Sequence, residues 1–107
     1  MKSMIFNIRD QDIDHMKKGT IKSLNPVTFD VFPSKEKRKY ILACFLVHGF
    51  KKDKIYTEAE VNDILMKSHV DYASVRRFMI DYAFLKRSDD CSSYWLNVEL
   101  KDFARFQ

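Results

Sequence analysis

Apolar and polar positions divide the chain into segments with different periods. In TEAEVNDILMKS (57–68), Val61, Ile64 and Leu65 fall at i, i+3 and i+4, the stripe of a helix buried on one side. Thr57 and Glu60 have capping-box spacing, while Glu58 and Asp63 add negative charge toward the N-terminus. Asp71 can cap the next helix, and helical spacing puts Tyr72, Val75, Phe78, Met79 and Tyr82 along one face. Upstream, Pro33-Ser34 opens a segment in which Ser34 can serve as cap. There Tyr40, Ile41, Cys44, Phe45, Leu46 and Val47 form a broad apolar face before Gly49.

The pattern shortens at both ends. Met4, Ile5, Phe6 and Ile8 precede DQDIDHMKKG (10–19), where acids come before lysines, an order that complements a helix dipole. TIKSL and VTFDVF then read as two short strands joined at Asn25-Pro26, with Val27, Phe29 and Val31 alternating against Thr28 and Asp30. After the third main helix, Phe84 to Arg87 fits a strand, DDCSS (89–93) a turn and Tyr94, Trp95 and Leu96 a returning strand. The expected fold class is α+β: three main helices followed by a β-hairpin wing, preceded by a short helix and strands. Residues 1–33 are expected to form an N-terminal extension packed on the same domain, 34–96 a winged-helix-like core, and 97–107 a C-terminal tail. Phe103 and Phe106 suit either a final helical turn or a partner contact.

Length agrees with one domain, since a chain of 107 residues buries enough surface for a core without staples. A hydrophobic share of 46% and only two glycines and two prolines exclude wholesale disorder. The net charge is +4, with 19 basic and 15 acidic residues interspersed, a mild lean toward polyanions. It divides as +1 over residues 1–33, +3 over 34–96 and 0 over the tail. Cys44 and Cys91 are far apart and in no paired spacing, which suits a core thiol and a loop thiol in a reducing cytoplasm. The early charges argue against a signal peptide, and no apolar run nears the ~18 residues of a membrane span, so no membrane partner is expected.

FPSKEKRKYIL (32–42), YTEAEVNDIL (56–65), DYASVRRFMIDYAFLKR (71–87) and the Tyr94-Trp95 pair together resemble the bacterial domain-of-unknown-function family twenty-eighty-seven. The resemblance implies a winged-helix-like unit that occurs alone or attached to helix-turn-helix regulators, in a transcription-related setting, with no established activity. Two positions depart from it. Ala83 stands where relatives commonly have glycine before the Phe-Leu pair, and Asp90-Cys91 stands where they often turn through Asp-Gly, leaving the wing geometry open.

In a helix-turn-helix, the third helix offers its outer face to the major groove while surrounding cations hold phosphates. Turning about 100° per residue places Ala73, Ser74, Arg77 and Asp81 opposite the apolar face, with Arg76 at its edge. Arg77 and Ser74 are therefore the candidates for base edges of double-stranded DNA. Arg76, Lys86, Arg87, Lys35, Lys37, Arg38 and Lys39 are the candidates for phosphates. The competing reading is a solvated face: Asp81 lies four residues from Arg77, and Glu58, Glu60 and Asp63 make the preceding helix acidic. On that reading the module binds protein, with Phe103 and Phe106 at a homodimer or regulator contact. His15, His48 and His69 are dispersed, Cys91 has no neighbouring histidine in sequence, and Asp89-Asp90 suits a turn. Hence no metal, cofactor or enzyme activity is expected. The other aromatics, including Tyr72, Phe78, Tyr82, Phe84 and Trp95, fit a core better than a stacking platform for single-stranded bases.

Overall fold

A computed structural model describes residues 6–107; the expected apolar start at Met4 and Ile5 lies outside the described residues. Helix α1 spans Asp10–Gly19 and leads into strands β1 (Ile21–Leu24) and β2 (Val27–Phe29), an antiparallel hairpin with a cis Asn25-Pro26 bond. Ile21 pairs with Phe29 but Ser23 with Thr28, leaving Lys22 as an extra residue in a β-bulge. The expected alternation reaching Val31 is not observed. Ile21↔Phe29 is the last pair, and beyond it the Phe29 amide donates to the Ser68 carbonyl while His69 Nδ1 donates to the Phe29 carbonyl. Val31 is consequently 71% exposed.

Helix α2 (Glu36–Leu46) is the central element. Every residue from Tyr40 to Leu46 is buried, so its apolar face becomes a complete girdle in its second half, as in a helix surrounded by core. Ser34 does not cap it: the helix starts one residue later than expected, Lys35 takes the N-cap position with extended backbone, and no side chain caps it. One 3-10 turn, Val47–Gly49, closes this segment.

Helices α3 (Glu58–Met66) and α4 (Tyr72–Asp81) start at their sequence-visible caps. The Thr57 hydroxyl accepts from the Glu60 amide at 3.1 Å and the Glu60 carboxylate accepts from the Thr57 amide at 2.8 Å; Asp71 accepts from the Ser74 amide at 3.3 Å. Strands β3 (Leu85–Arg87) and β4 (Tyr94–Leu96) pair antiparallel, and a bridge from Tyr56 to Tyr94 fastens the segment before α3 to the hairpin. Leu85, Tyr94 and Leu96 face the core, whereas Lys86 and Trp95 oppose each other on the outer face.

One apolar cluster runs through all these elements. Ile8, Ile13, Met16, Ile21 and Phe29 from the N-terminal segment share it with α2, α3, α4 and the hairpin. The tail closes it. After a 3-10 turn, Leu100–Phe103, Phe106 is completely buried with its ring edge-on to Phe45 at 5.7 Å, and Phe103 packs against Phe84 at 5.9 Å. Phe103 and Phe106 therefore do not form an exposed aromatic tail. Core space left by the helices takes both rings, and the expected partner contact through them loses its premise. Among the described residues, no helix is long and apolar enough to cross a membrane.

Candidate nucleic-acid interface

The turn between α3 and α4 holds the second helix with its Ser74–Arg77 face outward. Val75, Phe78 and Met79 are buried behind it, while Ala73, Ser74, Arg77 and Asp81 are exposed. An open groove of about 850 Å3 runs between this face and the segment from Phe32 to Lys39. Cations Lys39, Arg76, Arg77 and Arg87 line it, but so do Glu36, Asp71 and Asp81, so charge along the groove is nearly balanced.

The candidate cations differ in how far they are committed within the molecule. Arg77 Nε sits 3.3 Å from Asp81 Oδ1, with the two side chains 77% and 55% exposed. Arg76 is half-buried and reaches across to α3, donating to Asn62 Oδ1 and standing 4.0 Å from Glu58 Oε1. The Tyr94 hydroxyl donates to the same Glu58 oxygen at 2.9 Å. Burial and then this bond to Glu58 push the Tyr94 pKa up, and the Tyr94 hydroxyl beside Arg87 raises that guanidinium above its ordinary value. Arg76, Glu58 and Tyr94 thus tie α3, α4 and the hairpin together, with Arg87 at the edge. Sequence spacing puts Arg76 at the border of the α4 face but cannot show its α3 partners, which are 14 and 18 residues away.

In the KEKRK run (35–39) the helix sends alternate cations different ways. Lys37 pairs with Asp12 of α1 at 3.1 Å. This partner, after the Arg9 amide that donates to the same carboxylate, holds Asp12 below the usual carboxylate range. Lys39 pairs with Glu36 at 3.5 Å and lies over the rings of Phe32 and Phe78. The Tyr82 hydroxyl donates to Glu36 at 2.5 Å, lowering the Glu36 pKa and raising its own. Lys35 and Arg38 are exposed and have no ion pair among the described residues, and the same holds for Lys86 on the outer face of the hairpin. Lys22, to which the sequence pattern assigns no role, is 61% exposed and lines a concavity with Lys35 and Arg38. A bulge in so short a strand leaves no readable sequence signal.

The remaining chemistry-bearing residues do not converge. Among the described residues, no group of three or more histidine, cysteine or acidic side chains is placed to hold a metal ion. His48 Nε2 donates to the Phe103 carbonyl at 2.8 Å and His69 stacks on Phe29 at 4.7 Å, so both serve packing. Burial pushes the Cys44 thiol far up, leaving it protonated. Residues 29–96 match the model of a family described as "Uncharacterized protein conserved in bacteria (DUF2087)". No curated protein and no solved structure matches the chain.

Proposed function

Because the chain belongs to the uncharacterised bacterial family DUF2087, with an exposed helix face over an open groove, we propose that it is a cytoplasmic, non-enzymatic winged-helix domain. It binds double-stranded DNA non-covalently in transcription regulation. The supporting observation is the pose of α4, whose Ser74 and Arg77 stand exposed beside the groove while the hairpin lies at its end. Arg77 is the base-reading side chain. Its pair with Asp81 is exposed on both sides and contributes about 0.2–1 kcal/mol, whereas a bidentate contact to guanine discriminates by about 1–3 kcal/mol. So weak a pair does not lock Arg77 away from a base edge. Lys35, Arg38 and Lys86, free of ion pairs within the described residues, take phosphates; Arg76 acts as a brace between α3 and α4.

Fluorescence anisotropy with mixed-sequence duplexes at low and moderate salt tests this reading. Binding weakens steeply with salt, and R77A and S74A reduce the preference among sequences. Absence of binding at low salt overturns it. A second reading, a protein-interaction module, is favoured by the exposed Glu58, Glu60 and Asp63 of α3. Under it, charge reversal at Asp63, the exposed acid that neither caps α3 nor ties it to α4, weakens capture of a regulator while duplex binding is absent throughout.

A further inference from the structure

Lys35 and Arg38, two of the cations that make no ion pair among the described residues, do not line the α4 groove. They stand on the other side of the Pro33-Ser34 segment, in a concavity of about 520 Å3 whose charged lining is Lys22, Lys35, Arg38 and a single acid, Asp30. Two features of the fold build it. The bulge in β1 leaves Lys22 outside the strand register, an arrangement that re-aims a side chain relative to regular alternation. The helical turn of α2 sends Lys37 and Lys39 to partners of their own, leaving Lys35 and Arg38, i and i+3, as a free pair on this side. Lys22 is only loosely satisfied, 3.9 Å from an Asp30 that is itself 80% exposed. Lys35 and Arg38 also line the adjoining concavity toward α1, where Lys37 is already paired with Asp12. Pro33 and Ser34 border both this concavity and the α4 groove, making the two surfaces continuous.

We propose that Lys22, Lys35 and Arg38 form a phosphate clamp for the backbone of duplex DNA, flanking the α4 groove and built from the N-terminal hairpin together with α2. The proposal rests on the DNA-binding reading and assigns it a contact surface away from the helix-turn-helix face. Three cations against one loosely held acid, on a surface open enough for a polymer and adjacent to the α4 groove, complement a phosphodiester chain. Division of labour follows: α4 reads, while the hairpin and α2 supply most of the salt-dependent affinity.

The experiment is a salt titration of anisotropy with one duplex, using the intact chain. Its variants are K22Q/K35Q/R38Q, the single variant K22Q, S74A/R77A and a charge-matched control K51Q/K67Q/K101Q. Each neutralised phosphate contact removes about 0.9 from the slope of log K against log salt. The clamp variant therefore shows a slope shallower by roughly 2–3 and binding at least about tenfold weaker at low salt, while the control changes little. K22Q, a single exposed substitution, shows about one third of the slope change and guards against misfolding of the triple variant. Equal losses in clamp variant and control overturn the clamp. Wild-type binding by the clamp variant with loss in S74A/R77A overturns the clamp and leaves the α4 reading standing. Loss in the clamp variant with none in S74A/R77A overturns α4 as reader and supports the clamp, and no duplex binding by the native chain overturns both.

Discussion

Ala83 and Cys91 hold φ angles of 61° and 62°, the left-handed region where a side chain costs about 1–2 kcal/mol. Ala83 does so for an identifiable reason. At the end of α4 the Phe84 amide donates to the Met79 carbonyl at 2.8 Å and the Ala83 amide to the Ile80 carbonyl at 3.0 Å, the paired bonds of a Schellman cap, whose C′ residue must turn left-handed. The buried Phe84 ring and the Asn97 side chain, which donates to the Ala83 carbonyl at 2.9 Å, keep the turn in place. Both positions are those where the family resemblance puts glycine, and the strain was foreseeable at Cys91 from the Asp-Gly turn pattern. Replacing Ala83 with glycine removes the Cβ conflict but adds chain entropy to the unfolded state, a net gain of about 0.5–1 kcal/mol. Urea unfolding of A83G reads this directly as a higher midpoint at unchanged slope. A lower midpoint excludes strain as the dominant effect.

At the scale of the element, the β3–β4 hairpin shows how a turn without glycine is held. The Cys91 amide donates to the Ser88 carbonyl at 2.9 Å, and Asp90 gathers the loop by accepting from the Ser88 hydroxyl at 2.7 Å and from the Ser92 hydroxyl and amide at 2.7 and 3.0 Å. These donors, Ser88 first, lower the Asp90 pKa from 3.8 to about 2. Since the folded value lies below the unfolded one, the carboxylate favours the closed turn above about pH 4. That contribution fades as pH falls through about 2. In an NMR titration the Ser92 amide shift moves with a midpoint near 2 in the native chain and loses that step in D90N; a midpoint near 4 refutes the bonding pattern. Local elements of this kind are the legible ones. The Thr57–Glu60 box and the Asp71 cap depend on residues three apart, so the sequence shows them directly. Ser34 was the locally favoured cap, yet α2 starts after Lys35 without a side-chain cap, so residue preference did not set this boundary. The Lys22 bulge was invisible because it depends on how β1 meets β2, and the Arg76 brace because Asn62 and Glu58 belong to another helix.

At the scale of the molecule, the ends decide how the core closes, and the sequence left their placement open. Arg105 donates to the Ile8 carbonyl at 3.2 Å and pairs with Asp10 at 2.8 Å, joining the tail to the start of α1 across nearly the whole chain. Between them Phe106 fills the space beside Phe45 with no exposure, and His48 fixes the Phe103 carbonyl. Removing a fully buried phenylalanine ring costs about 3–5 kcal/mol, a large share of the roughly 5–15 kcal/mol that stabilises a domain. F106A is therefore expected to lower the urea midpoint sharply, with tryptophan fluorescence of Trp95 and far-ultraviolet circular dichroism moving in one coincident transition, because tail and hairpin share one core. Sedimentation of the native chain and F106A at equal concentration separates this role from the alternative. If Phe106 stabilises by packing within its own chain, the mass is the same for both while the midpoint falls. A mass that drops from dimer to monomer with stability within about 0.5 kcal/mol, the range of surface changes, would instead return the ring to an interface.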